Sequence, residues 1–187
     1  RAVWVEREEE LRGLGQERIT AAREAAAERG YDSGYLLTIT NTTRQPILTA
    51  LDNRDLRQRV WEASAYRGIG EDGGVDSRDL ILEMVRLRAE KAELLGYEDW
   101  ASYVLEPQTA GDPEAAIAMI NDLIPPVRAN TEQEAQLIRE MMASEGVEGD
   151  LMPWDWEYFA EKVRQERYEF NEEEVRNYFE LDTVIEN

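Results

Sequence analysis

The groups able to do chemistry in this 187-residue sequence are carboxylates, serines and two lysines, because it contains no histidine and no cysteine. That absence removes thiolate nucleophiles, imidazole general bases and nearly every zinc or iron site. Paired carboxylates can act as acid and base, as in glycoside hydrolysis. With 41 acids in the chain, however, such pairs arise by chance, and Glu172-Glu173-Glu174 reads as a solvated helix start. Ser33, Ser64, Ser77, Ser102 and Ser144 have no imidazole to activate them. Neither Lys91 nor Lys162 stands at a spacing that recommends a Ser–Lys pair. The stretch Glu71-Asp72-Gly73-Gly74-Val75-Asp76 has the acids of a calcium loop without its ligand alternation or closing bidentate Glu, so it reads as a turn. Gly68-Ile69-Gly70 lacks the flanking strand and the Lys-Ser/Thr of a phosphate loop.

A second constellation is aromatic. Trp154, Trp156, Tyr158, Phe159 and Tyr168 lie among acids, and two readings stand open: a wall that binds peptides, or a helix start packed into the core. The charge is lopsided in the same region. The chain carries a formal net charge of −20. Residues 143–187 hold 14 Asp/Glu against four Lys/Arg, either an acidic wall that attracts cationic peptides or a set of solvated helix faces. A surface this acidic repels phosphate backbones, so nucleic acid is excluded as a partner. No apolar run approaches the roughly 18 residues needed to span a bilayer, so no membrane partner is expected.

Most of the elements that must position these groups read as helical. Residues 3–29 read as a charged helix ending at Gly30, with a break at Gly13 and Gly15 and a restart at Gln16 or Glu17. The stretch Tyr35-Leu36-Leu37-Thr38-Ile39-Thr40 is the one convincing strand, and it must pair either within the protein or with something outside this chain. Asp52 or Asn53 caps a helix carrying Leu56, Val60 and Ala63. Asp76-Ser77 opens the most amphipathic stretch, with Leu80, Met84, Leu87, Lys91 and Leu94 on one stripe, Ile81, Val85 and Ala92 beside it, and a stop at Gly96. A short helix with Trp100, Tyr103 and Val104 follows. Asp112-Pro113-Glu114 starts a longer one carrying Ile117, Ile120 and Ile124, which Pro125-Pro126 must break or kink before Ile138 and Met142. The last helix starts near Trp154, with Asp155 as N-cap and Trp154 stapled onto Phe159. Val184-Ile185 reads as the opening of a further helix, which points to a fragment of a longer chain. Arg1-Ala2-Val3-Trp4 shows neither an initiator Met nor a signal h-region, so any native leader is absent. Cytoplasm is the favoured compartment, with periplasm also open.

The order of several segments resembles one family. Tyr35 through Thr40 and on to Pro46, Leu87 through Gly96-Tyr97, Tyr103-Val104-Leu105-Glu106, Trp154-Asp155-Trp156 through Phe159, and Tyr178-Phe179-Glu180-Leu181 are similar, in order and spacing, to the M3 (thimet oligopeptidase) family of zinc peptidases, and most to its peptidyl-dipeptidases. The similarity is clearest from Tyr31 to Asn187.

The resemblance implies a mainly α fold, a helical array with one small β element near residues 35–40, taken from a two-lobed peptidase whose channel admits short unfolded peptides. Family members bind zinc through the two histidines of His-Glu-x-x-His and a later Glu; the metal polarises the scissile carbonyl and a water whose proton the motif's Glu takes. That motif lies beyond the matched stretch, so no catalytic or metal residue carries over, and zinc belongs to the parent rather than to this chain. The whole chain, 1–187, is then one helical fragment: a charged segment over 1–30 and scaffold or channel wall over 31–187. Trp154, Trp156 and Tyr158 are the candidates for that wall. Its partners would be short peptides, as substrates of the parent, and the remaining catalytic core. The rival reading is a self-sufficient acidic helical module that binds peptides or proteins without catalysis.

Overall fold

A computed structural model describes residues 1–168 except 41 and 71–73. The fold is mainly α, as expected, with one two-stranded antiparallel sheet among the described residues. In chain order the elements are β1 (Ala2–Val5), a 3-10 turn at Glu8–Leu11, α1 (Gln16–Glu28), β2 (Tyr35–Thr38), α2 (Arg44–Ala50), α3 (Arg54–Ala65), α4 (Arg78–Leu94), α5 (Trp100–Leu105), α6 (Pro113–Ser144) and α7 (Trp156–Tyr168). The chain divides into two compact units: residues 62–133 with Arg1, and residues 2–61 with those from 134 onward.

In the unit built on residues 2–61 and 134 onward, the charged helix expected over 3–29 is replaced at its start by a strand. Ala2-Val3-Trp4-Val5 alternates, with Val3 and Val5 buried and Trp4 exposed, the period of a half-buried strand. It pairs with β2 in the register Val3 to Leu37 and Val5 to Tyr35. The strand at residue 35 therefore finds its partner inside the chain. The helical part begins at Gln16, where the sequence placed the restart. Gly13 is needed there: its φ is +96°, and a Cβ would lie 2.0 Å from the Ala50 carbonyl oxygen. Gly30, with φ +80°, ends α1 in the left-handed conformation.

Helix α2 follows the strand expected at residues 35–40, in a stretch where the sequence reading placed no helix. Pro46 is third in this helix, where its missing N–H would have had no intrahelical acceptor, so it costs no hydrogen bond. Helix α3 starts as expected, with the Asn53 side chain accepting the Leu56 N–H at 3.1 Å. Leu56 and Val60 are fully buried. Helix α1 packs on β2, and α7 packs on α2. The end of α6 contributes Ile138 and Met142 to a core with Tyr158 and Phe159.

The unit spanning residues 62–133 is different in kind. Helix α4 packs against α5, which is capped by Asp99 accepting the Ser102 N–H at 2.8 Å. The α4 stripe does not form a core. Leu80, Ile81, Leu82, Met84, Val85 and Leu87 are all exposed, and of α4 only Ala92 is buried. The start of α6 is alike, with Ile117, Ile120, Leu123, Ile124 and Val127 exposed. Of the break or kink expected at Pro125-Pro126, no break occurs: α6 runs 32 residues through both prolines. Proline's fixed φ is compatible with a helix, and the loss falls on the carbonyls four residues earlier, those of Asn121 and Asp122. Both residues are exposed, so water can satisfy those carbonyls.

Candidate functional site

Asp155 is the residue on which the packing of this part of the chain converges. It immediately precedes α7, where the sequence placed an N-cap, but its carboxylate does not cap that helix. It accepts instead from Arg54 at 2.7 to 3.2 Å, from Arg57 at 3.1 Å and from the Met152 N–H at 3.1 Å. Arg57 is 1% exposed and Asp155 0%, so this pair is out of water. Arg57 also donates to the carbonyls of Leu51, Asp52 and Trp154 at 2.9 to 3.2 Å, and its guanidinium lies 4.0 Å from the Tyr158 ring centroid. Arg54 reaches the carbonyls of Glu148 and Asp150. These bonds tie the α2–α3 turn to the segment entering α7. A buried charge pair tolerates its desolvation only when its donors and lone pairs are satisfied. Here no buried side-chain N or O among the described residues lacks a partner.

The electrostatics follow from that geometry. Burial pushes the Asp155 carboxyl up, but hydrogen bonds from Arg54, Arg57 and the Met152 N–H outweigh it and hold the group below its ordinary value. Burial and the hydrogen bond it donates to Asp52, at 2.9 Å, push the Tyr158 hydroxyl up. Neither group is poised to exchange a proton near neutral pH. The cluster holds structure and has no free acid or base to offer a substrate.

Beside it lies an open cleft of about 530 Å³. Leu48, Trp61, Leu151, Met152, Pro153 and Trp156 form its apolar lining, and Arg44, Arg139 and Glu157 supply charge. The three candidate wall residues separate here. Trp156 lines the cleft. Trp154 packs edge-on against Trp61, with centroids 6.1 Å apart, rather than forming the staple expected with Phe159. Tyr158 is 8% exposed and belongs to the core, its ring 5.0 Å from that of Phe159. Two residues apart on a helix, positions 156 and 158 point to nearly opposite sides, so they cannot share one wall. Tyr168 is exposed; Glu172-Glu173-Glu174, Tyr178 to Leu181 and Val184-Ile185 lie outside the described residues. Sequence reasoning missed Trp61, Arg44 and Arg57. Trp61 lies outside the aromatic cluster the sequence singles out, and nothing local marks an arginine that is to be buried.

Zinc does not fit the residues present. The sequence has no imidazole or thiolate, and among the described residues no three acids come together to hold a metal ion.

A helical scaffold with a satisfied ion cluster and an aromatic-lined cleft is the class of structure these residues make. The chain belongs to peptidase family M3, whose family model matches residues 47–187. It is 34% identical over 176 residues to the dipeptidyl carboxypeptidase of Escherichia coli (strain K12), covering 94% of this chain and 26% of that protein. It is 33% identical over 175 residues to oligopeptidase A of the same organism, covering 92% and 26%. An organellar oligopeptidase A of Arabidopsis thaliana is 28% identical over 189 residues, covering 95% and 23%. The chain thus spans about a quarter of the length of the curated relatives it matches.

Proposed function

We propose that these residues are the non-catalytic helical portion of a zinc metallopeptidase that hydrolyses short oligopeptides, and that they are inactive by themselves. The observation that carries this reading is the apolar face left open on α4 and the first half of α6, in a chain that belongs to peptidase family M3. Exposed apolar side chains at helical spacing mark a face built to be covered. In this reading the remaining, zinc-bearing part of the peptidase packs there. Trp156 and Trp61 supply an aromatic wall for an extended peptide, with Trp154 holding Trp61 from its edge. The parent's division of labour between dipeptide release and internal cleavage lies outside this portion.

Two measurements on the 187-residue chain test the reading. Fluorogenic oligopeptides incubated with it, with and without added zinc, should stay intact; zinc-dependent cleavage would overturn its inactivity. A hydrophobic dye should bind strongly and lose most of its signal in a Leu80→Glu, Ile120→Glu double variant. A strictly monomeric chain that binds no dye would remove the case for a covered face.

A further inference from the structure

Residues 62–133 hold a second hollow, of about 520 Å³, lined by Tyr97, Tyr103, Val104, Glu106 and Pro107. The rings of Tyr97 and Tyr103 meet at 68° with centroids 5.3 Å apart, forming a corner of two π surfaces. Glu106 brings a carboxylate into the lining. The Tyr97 hydroxyl donates to one of its oxygens, which ties ring and acid together, and no cation pairs with Glu106 among the described residues. The neighbouring rings already attract cations from the same chain. The Lys91 ammonium sits 5.0 Å from the Tyr103 centroid and 5.4 Å from that of Trp100, and the Arg88 guanidinium sits 5.4 Å from Trp100. Neither Lys91 nor Arg88 lines the hollow.

We propose that this hollow is a binding site for a guanidinium group, as carried by an arginine side chain of a peptide. A guanidinium suits it better than an ammonium because its flat face stacks on an aromatic ring while its edge donates to a carboxylate. A chain of net charge −20 adds a long-range pull on such a ligand. The inference stands apart from the peptidase reading, since it needs only this unit.

The test is a titration of the 187-residue chain with acetyl-arginine amide, followed by NMR shifts of the Tyr97, Tyr103 and Glu106 amides. The neutral isostere acetyl-citrulline amide serves as the comparison. The arginine compound should saturate, and the citrulline compound should bind at least about tenfold more weakly. Tyr103→Leu and Glu106→Gln should each weaken binding about two- to fivefold. Tyr103→Phe keeps the ring and should keep the affinity; Glu93→Gln, outside the hollow, should change nothing. Equal binding of citrulline would overturn the proposal. So would shifts that never saturate, or affinity indifferent to both Tyr103→Leu and Glu106→Gln, which would mean diffuse attraction to an acidic surface. Loss in Tyr103→Phe would also overturn it, since the hydroxyl and not the ring face would then bind.

Discussion

Helix α6 carries apolar residues at helical spacing along both of its halves, yet the halves have opposite fates. Ala135, Ile138 and Met142 are buried in the unit with residues 2–61, whereas Ile117, Ile120 and Ile124, in residues 62–133, are exposed. The same contrast separates α3, whose Leu56 and Val60 are fully buried, from α4, whose equally regular stripe faces solvent. Periodicity states which face of a helix is built for burial; it does not state what buries it. One region finds its cover within these 187 residues. Among the described residues the other stays open, the contrast on which the proposed reading rests.

The sharpest way to break this contrast is to remove Asp155. Asp155→Ala strands Arg57 as a buried charge without a counterion and should cost about 3–5 kcal/mol in urea unfolding of the unit that holds it. A loss under about 1 kcal/mol would mean that water reaches the cluster. A matched pair of truncations comes next. Leu56→Ala should cost about 2–5 kcal/mol, while Ile120→Ala should stay within about 0.5 kcal/mol. Equal costs would show that α6 is covered in solution, by self-association or otherwise, and concentration dependence would separate those cases. Tyr158→Phe, which deletes only the hydroxyl bonded to Asp52, should cost about 0.5–1.5 kcal/mol.

The smallest effect is a pH dependence. Because the folded Asp155 carboxyl is held below its ordinary value, its stabilisation is complete above the unfolded carboxylate pKa of about 3.9. It is lost as pH falls from there through the lower folded value. The acid limb of stability should therefore flatten in Asp155→Ala. Asp76, in residues 62–133, is lowered to about 2 by its hydrogen bonds from Arg78 but is exposed. Asp76→Ala should leave that limb in place.

Much of this arrangement is legible along the chain. Asn53, Asp99 and Asp112 mark helix starts because capping is a bond between residues three apart. Gly30 and Gly96 mark helix ends because a left-handed φ is a local requirement. The ordered segments that resemble family M3 were likewise readable without coordinates. The strand at residues 2–5 was less so, since it stands among charged residues and its partner is 30 to 36 positions away. At the candidate site, Trp156 was legible as part of an aromatic cluster, but its separation from Tyr158 needed the position of the helix.

By itself, then, the sequence determined the class of fold, the family, the caps at Asn53, Asp99 and Asp112, and the absence of any imidazole or thiolate for a metal. Those depend on composition, on order and on interactions spanning a few residues. Tertiary structure decided that Asp155 serves Arg54 and Arg57 rather than its own helix, and that one apolar stripe is core while another is surface. Residues 54 and 155 are joined only by folding, across a separation of 101 positions. Burial depends on the partner a face meets, which no local spacing encodes.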